Sequence, residues 1–399
     1  MKTLIKIEYK KIWTRLTKVA VFSFIMIITI LSILFCISCS VAITDDGELI
    51  VGLKVFRQIK KESIDIEGIM DQAYIDNLIV DFNSSKELEN HEYLLKFELN
   101  KYRFSNYLIN FAYYGPKMMS DKLKLDFDFL KSESDFYEQY KKAIIEVIKY
   151  NNEKDWFTYT DQQINKLEEK IDEINVPFKV GYNEGLNLLT AQYGLHFKLT
   201  LIVIGFSLSS LYSKDSSNGI DELTLSSKFG RKKNMNARLI AGNLFAIMIY
   251  MIFIGILLLV NGTILSLEGW NLPIQTLWNS CFYNITAGTG ILIMFFKGLI
   301  VTILIANLVM FLSMMVRNIK ITMAIVVISI GILLNLTHTT NSLQLQLNPI
   351  YYATSLPDNY YFMGHVMIPY SIAFLFIALC YFALIRVLML WNYKKYKLS

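Results

Sequence analysis

The sequence predicts an all-α polytopic membrane protein, with six transmembrane helices and a mostly helical extracellular domain between the first and second. Three observations predict this class. First, the 399-residue chain is 54% hydrophobic and 18% charged. Soluble domains carry roughly 25% charge, and a chain made only of membrane helices would carry less than this one does. Second, six stretches reach the roughly 20 apolar residues that a span needs: 19–43, 196–213, 239–267, 296–316, 319–336 and 367–390. Third, charge is sorted along the chain. Residues 44–195 hold 19 Lys/Arg and 28 Asp/Glu, whereas all other residues together hold 20 and 6. With 19 Gly and 6 Pro, collagen-like and linker-rich classes are excluded.

The elements follow in order. Residues 1–18 alternate lysines with Leu4, Ile5, Ile12, Trp13 and Leu16, the pattern of an in-plane amphipathic helix on the cytosolic surface. Span one, 19–43, has an apolar run longer than the 7–15 residues of a signal peptide and reads as an uncleaved anchor. Residues 44–195 form the outer domain. Thr160 and Gln163 make a capping box before Ile164, Leu167, Ile171 and Ile174. A helix over 134–150 puts Phe136, Tyr140, Ala143, Ile144 and Val147 on one face. Ser84 with Glu87 is a further candidate cap before 91–104. The domain has no cysteine, so it is expected to fold alone without a disulfide. Span two is 196–213, and a loop over 214–238 follows. Spans three to six fill 239–390, and 391–399 are a short tail. Basic clusters before span one, around the loop, between spans four and five and after span six place both termini in the cytoplasm. Spans three and four do not echo five and six, so an inverted-repeat carrier has no support.

Few residues invite chemistry. There is no P-loop, no G-x-S-x-G and no H-E-x-x-H, so no nucleotide-binding or hydrolytic motif is present. No cofactor, metal or catalytic set is expected. His338, His365 and Asp358 share one outer loop but lack further carboxylates nearby. Cys36 and Cys39 lie in an apolar span and read as packing residues. The net charge of +5 is a topology signal and implies no nucleic-acid partner. Acids are missing from the span centres, which disfavours a proton relay. Lys297 lies about 20 residues from Arg317, so it is expected at the outer interface, its ammonium snorkelling to water. Residues 276–295 before it are aromatic-rich and are expected in the outer leaflet. The low-Pro, Lys/Asn/Ile-rich composition is compatible with a low-GC bacterium.

The loop DSSNGIDELTLSSKFGRKKNMNAR, Asp215 to Arg238, is the most informative segment. Its acidic front and basic back suit docking on another protein, and Asp215, Gly219 and Glu222 are spaced to share one helical face. Asp215, Gly219, Glu222, Ser226, Arg231 and Arg238 match in order and spacing the loop after span two of ABC-2 type transporter permeases, which this chain resembles. Ser313 through Arg317-Asn318 and the basic N-terminus add to the likeness. Asp215 stands where Glu is usual, Lys228 where Pro is common, and Arg238 where Lys is usual. The resemblance implies a bacterial cell-membrane permease, not itself an enzyme. It would dimerise with a second permease copy, identical or different, and seat this loop on a separate ABC ATPase subunit that binds the ATP. An amphipathic or hydrophobic substrate (peptide, toxin, antibiotic or lipid-like) would then move outward, with membrane lipids as the permease's further partners. The alternative is a non-transporting receptor or adhesion protein resembling the phage-infection-protein family, which also places an outer domain after span one.

Overall fold

The computed structural model describes residues 1–38, 41–43, 49–52, 54–56, 60–61, 63, 67–85, 111–112, 133–153, 159–219, 232–316, 318–336, 347–355, 360–364 and 366–395. The described chain is mostly helical. Among the described residues, five helices are long and apolar enough to cross a membrane, which makes this a membrane protein.

Helix α1 (Lys2–Ile12) is followed by α2 (Arg15–Ser38). A two-stranded ribbon of β1 (Val41–Ile43) and β2 (Leu49–Val51) comes next. Strand β3 (Gly68–Ile69) precedes three helices outside the bundle: α3 (Gln72–Ser85), α4 (Glu133–Glu153) and α5 (Asp161–Asp172). Strand β4 (Lys179–Val180) pairs antiparallel with β3. The bundle resumes with α6 (Glu184–Leu208), a break at Ser209, and α7 (Ser210–Ser217). Then come α8 (Lys232–Ile264), α9 (Ala287–Met315) and α10 (Ile319–Asn335). A short helix α11 (Pro349–Thr354) and a hairpin of β5 (Tyr360–Met363) and β6 (Val366–Pro369) lead into α12 (Tyr370–Lys395).

Five of the six expected stretches are helices long and apolar enough to span, with shifted ends. Span one ends at Ser38, and Val41–Ile43 is extended. Span two begins at Glu184, so 184–195 belong to the bundle rather than to the outer domain. The fifth expected span is a helix of 17 residues, about 26 Å at 1.5 Å per residue. It is shorter than the other five and just under the roughly 30 Å hydrocarbon core. Residues 367–369 are the end of a strand. Residues 277–286 are irregular and bury Trp278, Cys281 and Phe282, while 287–295 open α9.

Among the described residues, two apolar cores are the largest. The larger runs through the bundle and includes Phe197, Phe245, Phe253, Val301 and Phe374. The smaller holds α3, α4 and α5 together. Thr160 closes its capping box with Gln163, and Ile164, Leu167 and Ile171 are buried as their spacing requires. Phe136, Tyr140, Ala143 and Ile144 are buried on α4, and Val147 packs at the rim. This core also takes in Phe282 from the segment before α9 and Tyr360 from β5. Tyr140 donates to the Asn279 carbonyl, and burial raises its phenol well above the usual value, so it stays a donor. Asn284 bridges the Glu173 carbonyl and the Asn175 amide, and Tyr159 donates to the Tyr360 carbonyl. The expectation that 44–195 folds alone therefore needs correction: its core is completed by residues far along the chain. Ser84 lies in the last turn of α3, and residues 86–104 fall outside the described residues.

Candidate coupling site

At the end of the bundle where α1 lies, the lysines of α1 meet the base of the 214–238 loop. Helix α1 packs along the start of α8, with Trp13 edge-on to Phe245 at 5.4 Å and Tyr9 donating to the Met248 sulfur. Ile12 is buried there, whereas Leu16 stays exposed.

Asp215 and Arg238, the two ends of the loop motif, meet each other. Arg238 is 1% exposed and Asp215 7%. The Arg238 guanidinium pairs through Nη2 with Asp215 Oδ2, and its Nε lies 3.2 Å from Glu8 Oε2. Lys11 Nζ reaches Glu8 at 2.9 Å and Asp215 at 3.1 Å. The Arg238 plane also sits over the Tyr212 ring, 5.1 Å from its centroid. Two anions and two cations from three chain segments thus form one largely buried network. A guanidinium suits it because its rigid fork serves two carboxylates and stacks on an aromatic face, which an ammonium does less well. This accounts for Arg at a position where the resemblance expects Lys. Glu8 was not singled out from the sequence, though a signal was there: it is the single acid among residues 1–18.

Asp215 and Gly219 do not share a helical face. Helix α7 stops at Ser217, and Gly219 takes φ +70°. That left-handed conformation, easy only for glycine, ends the helix. Glu222, Ser226 and Arg231 lie outside the described residues.

The break between α6 and α7 is held from α9. Ser313 Oγ donates to the Ser209 carbonyl at 2.7 Å and accepts from the Tyr212 and Ser213 amides. It acts as a cap supplied by another helix, satisfying amides that a helix start leaves without partners. Gly205 lets Val326 and Ile330 of α10 press close to the same turn.

Deeper in the bundle, α2, α6 and α8 share a buried polar cluster. Gln192 and Asn261 exchange amide hydrogen bonds at 3.1 and 3.4 Å. Gln192 Nε2 also reaches Cys36 Sγ at 3.2 Å, and Ser32 Oγ lies 3.4 Å from His196 Nδ1. These bonds fasten helices where water is absent, and Cys36 takes part in them rather than merely packing.

Lys297 is 1% exposed. Its ammonium does not turn outward. It donates to the Ser355 carbonyl at 2.6 Å, at the C-terminal end of α11, and lies over the Tyr352 ring. A helix C-terminus carries partial negative charge and favours a cation. Among the described residues no group of three metal-ligating side chains occurs, and His338, Asp358 and His365 lie outside them. No family model matches the chain, no curated protein matches it in sequence, and no solved structure matches it in fold.

Proposed function

We propose that this protein is the permease subunit of an exporter of the ABC-2 type, moving an amphipathic or hydrophobic substrate outward with a separate ATPase. The observation that carries this reading is the buried network of Glu8, Lys11, Asp215 and Arg238. It joins both ends of the 216–237 segment to α1 and to α8, so a push on that segment is delivered to the bundle rather than absorbed at its base. The chain has no P-loop, so the free energy for transport must come from a partner. The positive-inside rule places the basic end in the cytoplasm, where an ATPase would meet it, and the α3–α5 end outside. A second permease copy completes the pathway.

Glu222 and Arg231 are the residues expected to grip the ATPase. Losing one member of a desolvated interfacial charge pair costs about 2–5 kcal/mol, and 1.4 kcal/mol is tenfold in affinity. Glu222→Ala and Arg231→Ala should therefore express and purify normally while ATPase copurification falls more than tenfold and substrate export falls with it. Lys232→Ala should stay near wild type. Full ATPase recovery and full transport in both variants would exclude this loop as the coupling element and favour the receptor or adhesion reading.

A further inference from the structure

Helices α10 and α12 each pack on α9, and between them lies an apolar cleft of about 460 Å³. Leu304, Leu308 and Phe311 form its floor, Leu333 one wall, and Leu384 and Leu388 the other. Residues 347–349, leading into α11, close it toward the α3–α5 end. This roof is bonded to two of the surrounding helices, and the far end of α11 to the third. Asn348 Nδ2 donates to the Leu333 carbonyl on α10, and Tyr381 of α12 donates to the Leu347 carbonyl. Lys297 of α9 holds Ser355 at the far end of α11. The cleft is thus built into the bundle and has a fixed end.

A lining of this kind offers water few hydrogen-bond partners. The floor of the cleft runs along α9 from about 6 to about 17 Å from the basic end of that helix at 1.5 Å per residue. That places it mostly within one leaflet of a core about 30 Å thick. At this depth the molecules with matching chemistry are lipid acyl chains. The roof bars entry from the α3–α5 side, so a chain must come from the leaflet at the basic end. Lys320 stands at that end of α10, whereas Arg386 of α12 lies level with the Leu384 and Leu388 wall. Lys320 is exposed and Arg386 is half-buried beside Asn236. The geometry points to a binding site for one acyl chain of an anionic phospholipid from that leaflet, its terminal methyl under the 347–349 roof and its phosphate near Lys320. The bound chain fills the gap between α10 and α12 and fixes their separation. This inference needs only the membrane setting, and stands or falls apart from the coupling role of the loop.

The test uses the full chain in phosphatidylcholine vesicles doped with a phosphatidylglycerol whose acyl chain carries a diazirine. A parallel sample carries the same label on phosphatidylcholine. After illumination, adducts are mapped by mass spectrometry. Labelling at Leu308, Phe311 and Leu384 should exceed that on the exposed α2 residues Phe22 and Ile30, and should be stronger with the anionic lipid. Leu308→Trp, which fills the floor, should cut cleft labelling about tenfold, equivalent to about 1.4 kcal/mol, and leave α2 labelling unchanged. Leu388→Trp fills the same space from the opposite wall and should do likewise. Cleft labelling no stronger than that of α2, equal labelling by the two lipids, or labelling untouched by either filling variant would overturn the site.

Discussion

Arg238→Ala is expected to destabilise the protein by about 3–5 kcal/mol, the usual consequence of removing one partner from a buried ionic group. The variant leaves the Glu8 and Asp215 carboxylates facing each other in a place that water hardly reaches, with only the half-exposed Lys11 between them. Arg238→Lys should fall between wild type and alanine, because an ammonium keeps the charge but loses the planar fork and its stacking on Tyr212. The sharper check is a triple variant, Glu8→Gln, Asp215→Asn and Arg238→Met, which removes all three buried charges. It should recover most of the lost stability, since buried ion pairs contribute little net once desolvation is counted. Thermal unfolding in detergent measures each variant. If Arg238→Ala unfolds like wild type, the network does not hold α1 to the loop. If the triple variant is no better than the single one, the loss is one of packing and not of charge.

Gly298→Ala is expected to be nearly as damaging, for a different reason. An added Cβ would overlap the hydroxyl of Tyr193 and press on that of Tyr250. These hydroxyls lie 3.3 Å apart and donate to α9 itself, Tyr250 to the Phe295 carbonyl at 2.7 Å and Tyr193 to the Met294 carbonyl at 3.4 Å. The methyl group must displace two buried tyrosines or push α9 away from α6 and α8. Overpacking of this kind costs about 1–3 kcal/mol, and each hydroxyl left without its acceptor adds about 1–3 kcal/mol. Tyr193→Phe removes the nearer oxygen, so it should cost stability in the wild-type background and restore some of it beside Gly298→Ala. Simple additivity of the two substitutions would show that the hydroxyl is not what glycine accommodates.

Much of the architecture was legible because burial in this chain follows periodicity. The face of α4 and the capped α5 appear where the spacing of Phe136 to Ile144 and of Ile164 to Ile171 put them. The apolar spans followed from length alone. The start of α6 did not, because residues 184–195 contain Glu184, Asn187, Thr190 and Gln192, which lower hydropathy. Gln192 is nevertheless fully buried, since Asn261 answers its amide. Hydropathy counts polar atoms without knowing whether they find partners. Lys297 departs from expectation in the same way: the sequence predicts water as its partner, and it donates to a helix-end carbonyl. The end of the second hairpin strand, Met367 to Pro369, reads as the start of span six because it is as apolar as a helix, and Gly364 in the turn before it, at φ +60°, was the available signal. At the coupling site, Asp215 and Arg238 were picked for a partner protein and are instead partnered within the chain. No reading of spacing along one segment could have brought Glu8 to Arg238.

Orientation is the premise on which the exporter reading depends, and thiol accessibility in intact cells tests it most directly. Cys36 and Cys281 are buried, so replacing Cys39 and Cys380 by alanine leaves a background with little reactivity. Single cysteines are then placed at Tyr150, exposed on α4, and at Lys228 within the loop. The account predicts that a membrane-impermeant maleimide labels Tyr150→Cys in intact cells, and labels Lys228→Cys only after the cells are opened. Labelling of Lys228→Cys from outside would put the loop on the wrong side of the membrane for any ATPase and contradict the account.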